Sequence, residues 1–227
     1  MKNFLVCIII TFFLISCSTD EDVIASVTPI ADSENASVMP QNLLNPMDST
    51  GKNYYDMLSE YSQLKVYPNS IRDMGDQIRF MSRKLHAKGN TSRGKIFFSD
   101  EIVEAIMINP DSCMIAIVEA STLSLGRKTS LINFLQALIG QRTNEFNVAY
   151  DFIVSYESII ISDVAIDEEE KETLLTVTSI SRYSLYSETA RKDRDWETSV
   201  ASRKARPFFA TNEVAIISII ALLPEIL

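Results

Sequence analysis

A single histidine, His86, sets the first bound on the chemistry available to this chain. A His/Cys metal site, a Ser-His-Asp triad and a Cys-His pair each need more partners than the sequence holds. Lying among Lys84, Lys88 and Gly89, His86 reads as part of a helix C-terminus, where basic groups complement the negative end of the helix. Carboxylates remain, with 30 Asp and Glu against 21 Lys and Arg. Two of them on facing helices would suffice for acid–base work or a divalent metal. The densest run, Asp167-Glu168-Glu169-Glu170, is more simply a capped helix start on a solvated face. The sequence has no Glu-x-x-His pair of the kind that builds di-iron sites in bundles. Leu125-Gly126-Arg127-Lys128-Thr129-Ser130 lacks the Gly-Lys pair and the spaced first glycine of a phosphate loop. No catalytic residue, metal ligand or cofactor site is assigned on these grounds.

Aromatic and basic residues leave alternatives open. Tyr54, Tyr55, Tyr61, Tyr183 and Tyr186, with Trp196, either fill a helical core or line a ligand groove. The basic clusters from Arg79 to Lys95 and from Arg191 to Arg206 either meet anionic headgroups or an acidic partner, or are solvated helix ends. The net charge of −9 argues against nucleic acid, whose phosphates such a surface repels.

The first residues carry an address. Lys2, an apolar run from Phe4 to Ile15 and a small-residue exit have the build of a secretory signal peptide. A membrane span needs about 20 apolar residues, more than this run supplies. Leu14-Ile15-Ser16-Cys17 resembles the lipobox of bacterial lipoproteins. That resemblance implies cleavage before Cys17, diacylation of its thiol and acylation of the freed amine. Each buried methylene contributes about 0.8 kcal/mol, and two or three chains make a stable anchor where one does not. Removing residues 1–16, whose only charged side chain is Lys2, takes the net charge from −9 to −10 and leaves 211 of 227 residues. Cys7 leaves with the signal and Cys17 carries lipid, so Cys113 stands alone, a small core residue among apolar neighbours.

Residues 17–40 read as a flexible tether without periodicity, interrupted by Pro29 and Pro40. Within it, Asp20-Glu21-Asp22 is similar to the export tag of surface lipoproteins in the Bacteroidota, or else is an ordinary acidic linker. These resemblances imply a lipid anchor in the outer membrane, with the body on the cell surface or facing the periplasm; the alternative for the first residues is a cleaved signal in which Cys17 is incidental.

From residue 41 the pattern predicts helices to the end. Asn45-Pro46 with Asp48 suits a helix start, and Tyr54, Leu58 and Tyr61 share the face that follows. Ile71, Met74, Ile78, Met81 and Leu85 form an apolar seam at spacings of three and four. Ser99 starts a helix that Asn109-Pro110 ends, and residues 112–125 read as a buried helix. The next helix opens at Thr129 or Ser130, and another uses Phe146, Tyr150, Ile153 and Val154. Asp167 begins a helix that reaches past Leu185, followed by a charged turn from Arg191 to Asp195. Residues Glu213 to Leu223 are apolar on every side, too short to span a bilayer and suited to the centre of a bundle. The expected fold is all-α, one bundle-like domain of six to eight helices over residues 41–227.

Two groups of residues carry a further resemblance: Asn45-Pro46-x-Asp48-x-x-Gly51, and Glu170-Lys171-x-x-Leu174-Leu175 with Ser179-Ile180-x-Arg182-Tyr183-Ser184. They look like a group of helical Bacteroidota lipoproteins of unassigned activity, and they imply fold and address but no site. Tyr54 stands near where those proteins commonly carry a His, and the C-terminal segment is Ile/Leu-rich where theirs tends to Gly/Ala.

Two functions fit this reading. One is a membrane-anchored, non-catalytic binding or interaction module for a protein or glycan partner. The other is a lipid-anchored hydrolase or carbohydrate-active enzyme working through carboxylates alone. A concave pocket holding two carboxylates about 5–10 Å apart favours the enzyme; a flat or apolar patch favours binding.

Overall fold

The amphipathic stretches fold as eight α-helices, with no strand among the described residues. The computed structural model describes residues 39–65, 67–88, 99–198 and 208–227, apart from the side chains of 86–88 and 193–198. The helices are α1 (Asp48–Leu64), α2 (Ile71–Lys88), α3 (Asp100–Ile108) and α4 (Pro110–Ala120), then α5 (Leu125–Gly140), α6 (Phe146–Ser162), α7 (Glu168–Thr198) and α8 (Glu213–Ile226). All belong to one compact unit, Ser37–Leu227. The expected all-α class is the observed one.

Local chemistry explains most of the boundaries. Asp167 Oδ1 accepts the Glu170 N–H at 3.0 Å, which caps α7 as its run of acids predicts. Asn109 ends α3 and also caps α4, accepting the Ser112 N–H at 3.1 Å, with Pro110 in the first turn where its missing N–H costs nothing. Four boundaries differ from the sequence reading. The buried helix expected over 112–125 is α4, which stops at Ala120 and buries only Met114 and Val118. α1 starts at Asp48, because Asn45 turns its side chain inward and its Oδ1 accepts from Met47 N at 2.8 Å. α5 starts at Leu125 and takes in Gly126, since the Ser124 carbonyl already accepts the N–H groups of Arg127 and Lys128. The expected charged turn at 191–195 is helical and belongs to α7, where Arg191 pairs with Glu188 one turn back at 3.3 Å.

Two helices form the centre. In α8 every residue from Val214 to Leu223 is buried, and the helix packs on α2, α3, α4 and α7. No described helix is long and apolar enough to cross a membrane, so the apolar surface of α8 is spent inside the fold. The middle of α7 is just as enclosed, by α1, α6 and α8, although it carries Thr178, Ser179, Ser181, Arg182 and Ser184. Such polarity is tolerable only when satisfied. Thr178 Oγ1 donates to the Leu175 carbonyl at 3.0 Å and Ser181 Oγ to the Val177 carbonyl at 2.8 Å. Cys113 is half-buried and packs against the core as a free thiol.

α1 lies close against α7, and Gly51 makes that approach possible. A Cβ at Gly51 would stand 2.6 Å from the Ser179 carbonyl oxygen and 2.6 Å from the Tyr183 ring. The carbonyl cannot step aside without moving α7. Gly51→Ala is therefore expected to destabilise the fold by about 1–3 kcal/mol by overpacking, despite the gain of about 1 kcal/mol in helix propensity. Thermal unfolding checks this at roughly 2–4 °C per kcal/mol; an unchanged or higher melting temperature means that the helices separate easily.

Candidate ligand cavity and its buried support

Arg182 projects from α7 into a site from which water is excluded, at 0 % exposure. A guanidinium there needs its donors matched by acceptors. Its Nε donates to Glu157 Oε1 at 3.0 Å, its Nη2 to Asp48 Oδ1 at 2.7 Å, and its Nη1 to the Pro40 carbonyl. Glu157, on α6 and also at 0 % exposure, is completed by two amides: Asn45 Nδ2 donates to Oε1 at 2.7 Å and Asn42 Nδ2 to Oε2 at 2.6 Å. Asp48 takes the Tyr183 hydroxyl on Oδ2 at 3.1 Å and the Asn42 N–H on Oδ1 at 3.0 Å. Burial, with the Asp48 charge beside it, pushes the Tyr183 phenol up to about 12, so the hydroxyl stays a donor. One cation and two carboxylates thus lock the segment before α1 onto α6 and α7.

The two residue groups that carry the family resemblance meet at this network. Asp48 pairs with Arg182 and Tyr183, Asn45 Nδ2 donates to the Leu175 carbonyl at 3.1 Å, and the Gly51 N–H donates to Ser179 Oγ at 3.1 Å. Glu157 was missed by sequence reasoning. The signal was available: it continues the stripe of Phe146, Ala149, Ile153 and Ile160 at helical spacing, a carboxylate in a core register.

The clamp fixes α1 on α7, and further along both helices line a cavity of about 450 Å³. Its size falls in the usual small-molecule range of ~300–1,000 Å³. Ser184, Ser187, Glu188 and Arg191 face it from successive turns of α7, and Tyr55, Leu58, Ser59 and Ser62 from α1. Gln77 of α2 and Ser218 of α8 close the floor, while Lys65 and Tyr67 stand in the connection after α1.

The floor is a chain of buried polar groups. Gln77 Nε2 donates to Ser218 Oγ at 3.4 Å, Tyr54 and Ser184 share a hydroxyl hydrogen bond at 3.1 Å, and Ser184 Oγ donates to the Ala215 carbonyl at 3.5 Å. Burial raises the Tyr54 phenol above its usual range. On the wall, the Tyr67 hydroxyl donates to Glu188 Oε2 at 2.8 Å, and the Arg191 guanidinium lies 3.9 Å from the Tyr67 ring centroid. Burial chiefly, and then the Glu188 charge, raise the Tyr67 phenol far above its ordinary value, against the opposing pull of Arg191. Tyr67 therefore remains a neutral donor throughout the physiological pH range.

The expected aromatic set is divided by the fold. Tyr54 and Tyr55 line the cavity, joined by Tyr67, which the sequence reading did not single out. Tyr61 packs on Phe80 at 5.3 Å, whereas Tyr183 and Tyr186 pack beside Tyr55 at 6.3 and 5.7 Å. The side chains of Trp196 and His86 lie outside the description, as do Cys17, Asp20, Glu21 and Asp22. Several basic residues are paired where they are described: Arg79 with Asp76 and Asp100, Lys84 with Glu60, and Lys192 with the Asn212 side-chain oxygen. Among the described residues no group of three or more His, Cys, Asp or Glu is placed to hold a metal ion. No family model matches the chain, and no curated protein or solved structure matches it.

Proposed function

We propose that this protein is a non-catalytic binding module, anchored in the outer membrane by lipid on Cys17 and displayed on the cell surface. The observation that carries the binding part is the cavity between α1, α2, α7 and α8, concave and lined by tyrosines and convergent polar groups. A hydrolase working through carboxylates has weaker support. The cavity lining contains one carboxylate, Glu188, and it is engaged by Tyr67 and Arg191, whereas acid–base hydrolysis of this type needs two. The lipid part rests on Leu14-Ile15-Ser16-Cys17 and the display on Asp20-Glu21-Asp22. The Arg182 clamp supports a tethered module in another way. It binds Pro40 and Asn42 at the head of the fold, so the end nearest the anchor is held to the core.

Cys17→Ala is expected to leave the protein unlipidated and to move it from the detergent phase to the aqueous phase on partitioning. A mutant retained fully in detergent removes the anchor. For binding, the full chain in detergent is melted against a panel of small polar metabolites, with Ser62→Trp as the control. Ser62 is exposed on α1 at the cavity wall, so tryptophan there fills the cavity without disturbing its floor. Thermal shifts in the parent that Ser62→Trp abolishes are expected. A panel that shifts neither protein removes the binding reading.

A further inference from the structure

The chemistry of the cavity wall limits what it recognises. Five serines, Ser59, Ser62, Ser184, Ser187 and Ser218, line it together with the amides of Gln63 and Gln77 and the phenols of Tyr54 and Tyr67. Several of these groups already have protein partners, Ser62 Oγ donating to the Leu58 carbonyl at 2.9 Å and Ser187 Oγ to the Ser184 carbonyl at 2.7 Å, and their oxygens keep acceptor capacity for a ligand that brings hydroxyl donors. Gln77 matters most because it is 97 % buried, at 3 % exposure, and faces the cavity. Its Nε2 donates to Ser218 Oγ at 3.4 Å, and no donor among the described residues reaches its Oε1. That oxygen is open at the cavity surface and offers an acceptor to a ligand hydroxyl or N–H.

Charge narrows the choice. Two cations, Lys65 and Arg191, line the cavity against one carboxylate, Glu188. Glu188 Oε2 already accepts from Tyr67 and Arg191, which offsets much of its field. The Lys65 ammonium, exposed at the rim, takes no hydrogen bond or ion pair among the described residues, and acts on Asp76 only through space. In a chain of net charge −9 this rim is locally positive. An anionic group entering there gains a partner without losing an existing bond. On the α1 wall of the same cavity, Tyr55 presents a half-buried ring held at a tilt by Tyr183 and Tyr186, a platform for the C–H face of a saturated ring.

From these features we infer that the cavity takes a small polyhydroxylated acid, a sugar bearing a carboxylate. The hydroxyls meet the serine and glutamine floor, and the carboxylate meets Lys65. This assignment rests on the binding reading above and specifies its ligand class. A compact amino acid brings fewer hydroxyl donors to the serine and glutamine oxygens, and inorganic phosphate has no ring face to set on Tyr55.

The experiment uses D-glucuronate, D-glucose, L-glutamate and inorganic phosphate as probes, titrated calorimetrically into the full chain in detergent. Glucuronate is expected to bind about 5-fold more tightly than glucose, the scale of one exposed ion pair. Lys65→Ala should bring glucuronate down to the affinity of glucose. Gln77→Met should weaken both sugars about 10-fold, the scale of one hydrogen bond, and Ser62→Trp should abolish both. Glucose equal to glucuronate, or glutamate or phosphate at least as tight as glucuronate, overturns the sugar-acid assignment. So does glucuronate binding that survives Ser62→Trp. If glucuronate fails but some other metabolite shifts the parent and not Ser62→Trp, the ligand class falls and the binding module stands. If nothing shifts the parent, both fall.

Discussion

Arg182→Met is expected to remove about 3–5 kcal/mol of folding free energy, the cost of breaking a buried ion pair by deleting one partner. Methionine retains most of the volume of the stem, so the loss is electrostatic. Glu157, at 0 % exposure, would keep only the two amide donors from Asn42 and Asn45, and Asp48 would lose its charged partner. The domain as a whole has about 5–15 kcal/mol to lose. The measurement is urea denaturation of the chain beginning at Ser37, a start that keeps Pro40 and Asn42 in the network. The companion variant Arg182→Met/Glu157→Gln should recover part of the loss, because it removes the stranded charge instead of the packing. Equal stability of Arg182→Met and the parent would show that water reaches Glu157 and that the clamp holds nothing.

Ile217→Asp is expected to prevent folding. Ile217 lies in α8 at 1 % exposure, with buried residues on either side of it along the helix. The substitution forfeits about 2–3 kcal/mol of side-chain burial. It also places a carboxylate at a position from which water is excluded, which costs several kcal/mol more before any neutralisation. Together these approach the whole stability of a domain of this size. Circular dichroism with thermal unfolding of the same chain should show no cooperative transition. A mutant that melts like the parent would mean that α8 does not hold the bundle together.

Both residues lie in the helices at the centre of the fold, yet only one was legible beforehand. The run from Val214 to Leu223 has no polar face to offer water and is too short to cross a bilayer, so its burial follows from composition alone. The same holds for the seam of α2 and the capped start of α7 at Asp167. Each depends on neighbours within a few residues, where helix geometry fixes which side chains meet. The chemical bound set by a single histidine is of the same kind, since it needs only a count.

The middle of α7 resisted that logic. Thr178, Ser179, Ser181 and Arg182 are polar, and they are buried because α1, α6 and α8 close around them. What makes their burial tolerable comes from elsewhere in the chain: Asp48 lies 134 positions from Arg182, and Glu157 lies 25. No local periodicity encodes such a pairing, because a charge is stable in a core only when a distant partner arrives with it. The cavity has the same origin. Tyr54 and Tyr55 were visible as aromatics at helical spacing, but whether they face core or ligand depended on Gly51 bringing α1 against α7 and on Gln77 and Ser218 closing the floor. The sequence by itself determined the all-α class, which helix is wholly apolar and which chemistries lack their residues. Only the tertiary structure decided which polar residues are buried together, because that depends on which helix faces meet, and those contacts are made between residues far apart in the chain.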